Sequence, residues 1–156
     1  MTDGDRVECL VFEAPVGRFA VETGWLRELV TLGEVTSIPG APASVAGITT
    51  LRGSVIVVLS GATLFDADER LLVVFDRDDD RRPVGLAVGA VEGVETFETA
   101  AITTPDAFDG DVPGRDVPVK AVLLPFGRGG STEPTFVLNA AALGESLPDA
   151  DRTIQT

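Results

Sequence analysis

Few side chains in this chain of 156 residues have a type and spacing suited to catalysis or metal binding. Histidine, the commonest general base and a frequent metal ligand, is absent, and a zinc site needs several Cys or His ligands. Asp76, Asp78 and Asp80 have the D-x-D-x-D spacing of a calcium loop. Arg81, however, stands where that loop needs glycine, and Ala87 stands where it needs glutamate. The pattern therefore favours a solvated loop over a metal site.

Other candidate chemistries also fail on their residue types or spacing. Residues 127–131 (GRGGS) are glycine-rich but lack the G-K-[ST] ending and the following helix of a phosphate-binding loop. Cys9 is the single cysteine and lies in an apolar CLVF run, which predicts a buried structural thiol. Carboxylates are so numerous that no pair is singled out as a glycosidase-type dyad. We predict a protein that is not an enzyme and holds no metal or cofactor, with a small hydrolase as a remote alternative.

The most distinctive charge is Arg52, which stands between two segments typical of strands. Val45–Thr50 and Ser54–Leu59 are the predicted strands, and the VIVVL run of the second is continuously apolar, as in a strand buried on both faces. Gly53 supplies the positive φ that a tight hairpin turn often needs. From these residues alone, two readings of Arg52 stay open: a charge that solubilises the hairpin tip or pairs with a carboxylate, or a contact for a partner.

The charge balance limits the kinds of partner. Twelve basic and 25 acidic side chains give a formal net charge of −13, which repels phosphate groups, so we expect no nucleic-acid partner. The acidic residues recur between apolar runs and Lys120 is the only lysine, which indicates a solvated surface adapted to high salt. The N-terminus lacks a signal peptide, and no run approaches the roughly 18 apolar residues of a membrane span. We expect a cytoplasmic protein with no direct membrane insertion.

Frequent glycines and prolines predict many short strands joined by turns. One short helix is predicted from Thr23 to Val30, because Trp25, Leu26 and Leu29 share one side at helical spacing. The remaining predicted segments are strands at 7–13, 18–22, 70–75, 84–91, 117–124 and 135–138, an extended segment at 92–99 with Val94 and Phe97 pointing inward, helical segments at 60–65 and 139–147, and loops at 103–116 and 127–134.

The two halves of the chain resemble each other. Phe19 aligns with Val84 and Leu59 aligns with Leu138, and in each half a hairpin leads into a short segment of small residues. Such a repeat of short strands predicts two small antiparallel β-barrels within a single domain. We place the first unit at about residues 15–69, and the second at about 70–147 together with the first strand.

The segment PGAPASVAGITTLRGSVIVVL resembles the signature of CheW-like domains, the adaptor family of bacterial and archaeal chemotaxis. The flanking segments LVFE, RFAVETGWLRELV, VGLAVGAVEGV and FVLNAAALGES follow in the family's order, and the acidity is that of a haloarchaeal-type member. The resemblance implies a mainly β fold, with two SH3-like five-stranded antiparallel β-barrels in pseudo-repeat and short helices. Among the departures, Thr50 replaces the usual Asn and Ser60 the usual Asp.

The resemblance also implies a function and a site. Family members are non-catalytic scaffolds that couple the cytoplasmic tips of chemoreceptors (methyl-accepting chemotaxis proteins) to the regulatory domain of the histidine kinase CheA. The receptor docks as a helical hairpin in an apolar groove, while the kinase contacts cannot be placed residue by residue. An alternative is a CheW-like regulatory domain of a kinase or of a receiver-linked coupling protein. The positions that match the receptor groove are Leu26, Leu29, Arg52, Gly85, Val91 and Val94.

Overall fold

The computed structural model describes residues 6–76, 83–112, 117–124 and 133–145. The predicted loop at 127–131, Asp78, Asp80 and the end of the last predicted helix lie outside these residues. The strands of the described ranges are β1 (Arg6–Ala14), β2 (Gly17–Glu22), β3 (Leu26–Thr31), β4 (Val45–Leu51), β5 (Ser54–Leu59), β6 (Leu71–Phe75), β7 (Val84–Val88), β8 (Ala90–Glu98), β9 (Ile102–Thr103), β10 (Val119–Leu123) and β11 (Thr135–Leu138). The α-helices are α1 (Gly61–Phe65) and α2 (Ala140–Glu145), and one-turn 3₁₀ helices cover Thr23–Trp25 and Thr99–Ala101.

The strands form two sheets, which we call the six-stranded and the five-stranded sheet. Their orders are β8-β1-β2-β11-β10-β9 and β3-β6-β7-β5-β4. The mainly β prediction is confirmed, but one sheet has six strands rather than five, because the two-residue β9 joins its edge. The sheets are also not wholly antiparallel, since β2 pairs with β11 and β5 with β7 in parallel. Neither sheet closes into a barrel through hydrogen bonds among the described residues.

The predicted internal repeat is confirmed by the two parallel pairings. The β5–β7 register places Val57 opposite Val84, and the β11–β2 register places Phe136 opposite Phe19. The alignment predicted from the sequence matches Phe19 with Val84. It also matches the last residues of β5 and β11, and therefore Val57 with Phe136, two positions earlier. The two pairs are thus equivalent positions in the two halves of the chain. In each half a strand thus leads directly into a short helix and lies parallel to a strand that is distant in sequence.

The predicted boundary near residue 70 does not coincide with the division between the sheets. Strands β6 and β7, assigned to the second unit, pair with β3 and β5. Strand β2, assigned to the first unit, pairs with β1 and β11. The physical reason is that each parallel pairing joins distant strands, so each sheet takes strands from both halves of the chain.

Both helices begin at a polar cap, which satisfies a backbone donor of the first turn. The Ser60 hydroxyl accepts a hydrogen bond from the Thr63 amide at 3.1 Å, and the Asn139 side-chain oxygen accepts one from the Ala142 amide at 3.1 Å. Ser60 also donates to Glu69 at 2.8 Å. The predicted helical segments after β5 and β11 are therefore confirmed as far as they are described.

Within the described ranges, apolar side chains pack in three clusters. The largest takes residues from both sheets, and we call it the inter-sheet core; it contains Phe12, Phe19, Phe65, Phe75 and Phe136 together with aliphatic residues. The second cluster lies on the other face of the six-stranded sheet, and we call it the six-strand inner cluster. The third lies on the other face of the five-stranded sheet, and we call it the five-strand inner cluster. Their buried residues are Cys9, Val11, Ala20, Leu123 and Val137 for the former, and Ile56, Val58, Leu72, Val74 and Ala87 for the latter.

These clusters confirm two predictions from the sequence. Strand β5 contributes Val57 to the inter-sheet core and Val58 to the five-strand inner cluster, so it is buried on both faces. Cys9 is fully buried, and burial raises the pKa of its thiol to about 12. The thiol is therefore uncharged at neutral pH, as expected of a structural cysteine.

Two predicted elements are wrong. The helix predicted from Thr23 to Val30 is a 3₁₀ turn followed by β3, because the segment pairs with the buried strand β6, and tertiary pairing outweighs a weak local helical pattern. The predicted strand over 84–91 divides at Gly89, where the chain passes from the five-stranded to the six-stranded sheet. No helix in the described part of the chain is long and apolar enough to cross a membrane.

Candidate functional site

Edge strand β3 carries two of the predicted groove residues on one face. Leu26 lies opposite Phe75 and Leu29 lies opposite Val73, and both of these partners belong to the inter-sheet core. Directly opposite residues in an antiparallel pair share a face. Residues three apart in a regular strand would point to opposite faces, but the register shifts between Leu26 and Glu28, so the strand is bulged. The bulge brings Leu26 and Leu29 to the inter-sheet side.

Edge strand β8 repeats this arrangement. Val91 lies opposite Phe12 and Val94 opposite Leu10, and both partners again belong to the inter-sheet core. The register shifts here too, so that Glu92 is the extra residue of a bulge. Val91 and Val94 therefore share the inter-sheet side of β8. Together with Leu26 and Leu29, they are called the four apolar edge residues.

The four apolar edge residues differ in exposure. Leu26 and Val91 are partly buried and pack against the inter-sheet core. Val94 is 55% exposed and Leu29 is 39% exposed, and with Val16 they are the exposed large hydrophobic residues among those described. The prediction that Val94 points inward with Phe97 is wrong, because residues three apart do not share a face over the regular part of β8. Phe97 packs on the six-strand inner cluster instead.

Arg52 lies at the tip of the β4–β5 hairpin, close to β3. Its φ is 50° and that of Gly53 is 83°, so both central turn residues have positive φ, as in a type I′ turn. Arg52 Nη1 donates a hydrogen bond to Glu28 Oε1 at 2.6 Å. Glu28 lies opposite Val74, which faces the five-strand inner cluster, so it points away from the face of Leu29. Arg52 therefore meets β3 from the other side.

Gly85 is not brought together with the other predicted groove residues. It is buried in β7, where it lies opposite Val58 and Val74 of the five-strand inner cluster. A Cβ atom at this position would lie 2.6 Å from Leu72 Cδ1. The structure thus places Gly85 in an internal contact with Leu72.

Sequence reasoning missed a charged cluster around Arg18. This residue is only 7% exposed, and its Nη2 lies 3.0 Å from Glu92 Oε1 and 2.6 Å from Glu95 Oε2, while Nη1 donates to the Thr135 hydroxyl. Hydrogen bonds from Arg18 lower the pKa of Glu92, and the hydrogen bond with Glu92 raises the pKa of Glu13. In the sequence, the sign of this cluster was a single basic residue, Arg18, which alternates with Ala20 in a predicted strand.

A cleft of about 490 Å³ is lined by residues of β3, β4 and β6 and of the segment that joins β3 to β4. Its lining is apolar and hydroxyl-rich, with one carboxylate and no basic residue: Val30, Thr31, Gly33, Glu34, Thr36, Ile48, Thr49, Thr50, Leu51 and Leu72. Within the described ranges no group of three or more Cys, Asp or Glu side chains could hold a metal ion. Glu34 is the single carboxylate among the described lining residues, so the cleft presents no pair of carboxylates for acid–base chemistry.

The sequence and the fold of the chain are similar to those of a known protein family. The model of the CheW-like domain matches residues 8–146, so the chain belongs to the CheW-like domain family. Among solved structures it is similar to the scaffolding protein TtCheW from Thermoanaerobacter tengcongensis, with a TM-score of 0.70 and 19% identity over 88% of this chain and 91% of that chain. Comparison with curated proteins gives no match. The structural likeness supports a fold of two SH3-like β units.

Proposed function

We propose that this protein is a non-catalytic chemotaxis adaptor that couples the cytoplasmic tips of chemoreceptors to the histidine kinase CheA. Membership of the CheW-like family supports the adaptor role, as does the similarity to a protein described as a scaffold. The observation that carries the receptor-binding part is the pair of bulged edge strands, β3 and β8, which leave Leu29 and Val94 exposed beside the inter-sheet core. The protein would act in the cytoplasm at receptor arrays.

The chemistry of the edge residues fits a helical partner. A receptor hairpin presents apolar side chains at helical spacing, which suits a helix-in-groove contact with Leu26, Leu29, Val91 and Val94. Exposed Leu29 and Val94 would provide most of the newly buried apolar area, since the other two are already partly covered. Arg52 would act from the neighbouring hairpin tip, where its side chain is 71% exposed and would exchange Glu28 for an acidic group of the receptor.

The mechanism would be bivalent binding without catalysis. One surface would hold the receptor and another the regulatory domain of the kinase, so that receptor conformation reaches the kinase through a shared assembly. Individually weak contacts suffice, because a second linked contact forms at a high effective concentration.

Calorimetry with a soluble helical-hairpin fragment of a chemoreceptor tests the receptor site. Val94→Asp places a charge within the expected apolar contact, so we expect at least about a tenfold loss of affinity, equivalent to about 1.4 kcal/mol. Val16→Asp is the matched control, because Val16 is similarly exposed but lies in the β1–β2 turn. Equal affinity of the Val94→Asp variant and the unmodified protein would count against the site.

A second experiment tests the adaptor role as a whole. The tagged protein is used to capture partners from a lysate held at high salt, followed by mass spectrometry. We expect a chemoreceptor and a CheA-type kinase to be recovered together, with the receptor lost selectively in the Val94→Asp variant. If the unmodified protein and the Val94→Asp variant both recover the kinase without a receptor, the protein binds the kinase alone, and the proposed receptor contact is wrong.

A further inference from the structure

Arg18 occupies a position where a charge is costly. In β2 it alternates with Ala20, which packs in the six-strand inner cluster, and it lies opposite Glu13 of β1 and Thr135 of β11. An arginine whose side chain is 8% exposed needs charged partners, because an unpaired buried charge strongly destabilises the folded state. Arg18 therefore holds the positions of the carboxylates that neutralise its charge, and those carboxylates in turn hold the position of Arg18.

The partners of Arg18 flank the exposed valine of β8. Glu92 is the extra residue of the β8 bulge, between Val91 and Gly93, and Glu95 directly follows Val94. Arg18 Nη2 contacts both carboxylates, at 3.0 Å from Glu92 and 2.6 Å from Glu95. One buried cation thus binds β8 on both sides of Val94.

The β8 bulge determines that Val91 and Val94 share a face. In a regular strand, residues three apart point to opposite faces, so loss of the bulge would turn one of the two valines away from the inter-sheet side. Among the described strands, β8 pairs with β1 alone, so a single neighbour holds its register. Gly93, with a φ of 126°, accommodates the bulge but does not fix it.

We propose that Arg18 is a positioning residue, whose ion pairs with Glu92 and Glu95 hold the β8 bulge and so keep Val91 and Val94 together on the inter-sheet side. The effect on receptor binding rests on the function proposed above, whereas the effect on β8 does not. Arg18 itself would make no contact with the receptor.

Strand β3 supplies an internal control. Its own bulge includes Arg27, whose Nε lies 3.9 Å from Asp76 Oδ1, with both side chains about half exposed or more. Such a surface pair contributes little to stability. Replacing Arg27 removes a basic residue from a bulged edge strand without disturbing a buried cation, so Arg27→Met is the matched partner of Arg18→Met.

The experiment measures amide hydrogen exchange by NMR on the full chain at high salt. Arg18→Met is expected to speed exchange of the paired amides of β8 by at least about tenfold, while those of β6 and β7 change little. It should also weaken binding of the receptor fragment, but have no further effect in the Val94→Asp background, because both changes then remove the same contact. Arg27→Met should leave β8 exchange and its register unchanged.

Several outcomes would overturn the proposal. Equal acceleration in both sheets would make Arg18 a general stabiliser, and unchanged β8 exchange would remove its positioning role. If Arg18→Met does not fold, Glu92→Gln decides, because it leaves Glu95 to neutralise Arg18 and must still loosen β8 locally. If the unmodified protein fails to bind the receptor fragment, the proposed function fails, and the exchange data still decide the role of Arg18.

Discussion

Arg52 and Glu28 join two opposite edges of the five-stranded sheet. Arg52 Nη1 lies 2.6 Å from Glu28 Oε1, with Arg52 at the tip of the β4–β5 hairpin and Glu28 in β3. Strands β3 and β4 are the two edge strands of that sheet. The Arg52 side chain is 71% exposed, so the ion pair contributes at most about 1 kcal/mol to stability.

This geometry allows the role of Arg52 in binding to be separated from its role in the turn. Arg52→Asn removes the guanidinium but keeps a residue that tolerates the φ of 50°, so we expect unchanged or slightly higher stability. Receptor-fragment affinity should fall, as measured by calorimetry. Glu28→Gln is the control, because it breaks the same ion pair and leaves Arg52 free. If both variants lose affinity equally, Arg52 acts only by holding β3.

The sequence predicted those features that depend on local pattern. The apolar run of β5 and the glycine after Arg52 were sufficient for the hairpin, because burial on both faces and positive φ leave clear residue signatures. The repeat was visible because both halves use the same order of strand and short helix. Sheet membership was not, since parallel pairing of distant strands leaves no local mark.

The failures at the site have physical causes as well. Leu26 and Leu29 share a face both in a helix and in a strand with one bulge, so their spacing does not distinguish the two. Arg18 meets Glu92 and Glu95 across separations of 74 and 77 residues, which no spacing rule detects. The family resemblance placed Gly85 in the groove, whereas its neighbours in the structure are internal.

Gly85 provides a test of that internal contact. Gly85→Ala would place Cβ 2.6 Å from Leu72 Cδ1 in a buried site, and we expect a loss of about 1–3 kcal/mol in the free energy of unfolding. Denaturant unfolding measures this. Leu72→Ala alone should cost about 2–5 kcal/mol by leaving a cavity, but the double variant should cost less than the sum. Strict additivity of the two changes would exclude the contact.

The paired carboxyl groups Glu13 and Glu92 should affect stability in opposite directions. The ordinary pKa of each is 4.5; hydrogen bonds from Arg18 lower that of Glu92, and the hydrogen bond with Glu92 raises that of Glu13. The stabilising contribution of Glu92 is thus present above pH 4.5 and is lost as pH falls through its lower folded value. Glu13 destabilises the fold increasingly as pH rises from 4.5 through its higher folded value.

Two matched variants test these signs. At about pH 7, Glu13→Gln should raise the free energy of unfolding, because it removes repulsion, and Glu92→Gln should lower it, because Arg18 loses a charged partner. Both differences should shrink near about pH 4, where the native carboxyl groups begin to bind protons in one or both states. Urea unfolding at constant salt measures them, and shifts in the same direction at about pH 7 would contradict the assignment.

The net charge of −13 predicts that the fold depends on salt. Repulsion among surface carboxylates is screened over about 10 Å at 0.1 M salt and about 3 Å at 1 M, so higher salt should favour the compact state. We expect circular dichroism to show a melting temperature that rises by several degrees over this range, and full stability in dilute buffer would contradict the prediction.

The control is a variant that reduces the repulsion directly. Asp106, Asp109 and Asp111 are exposed, and their replacement by Asn should make the dependence of the melting temperature on salt shallower. An unchanged slope in that variant would assign the salt effect to apolar burial instead.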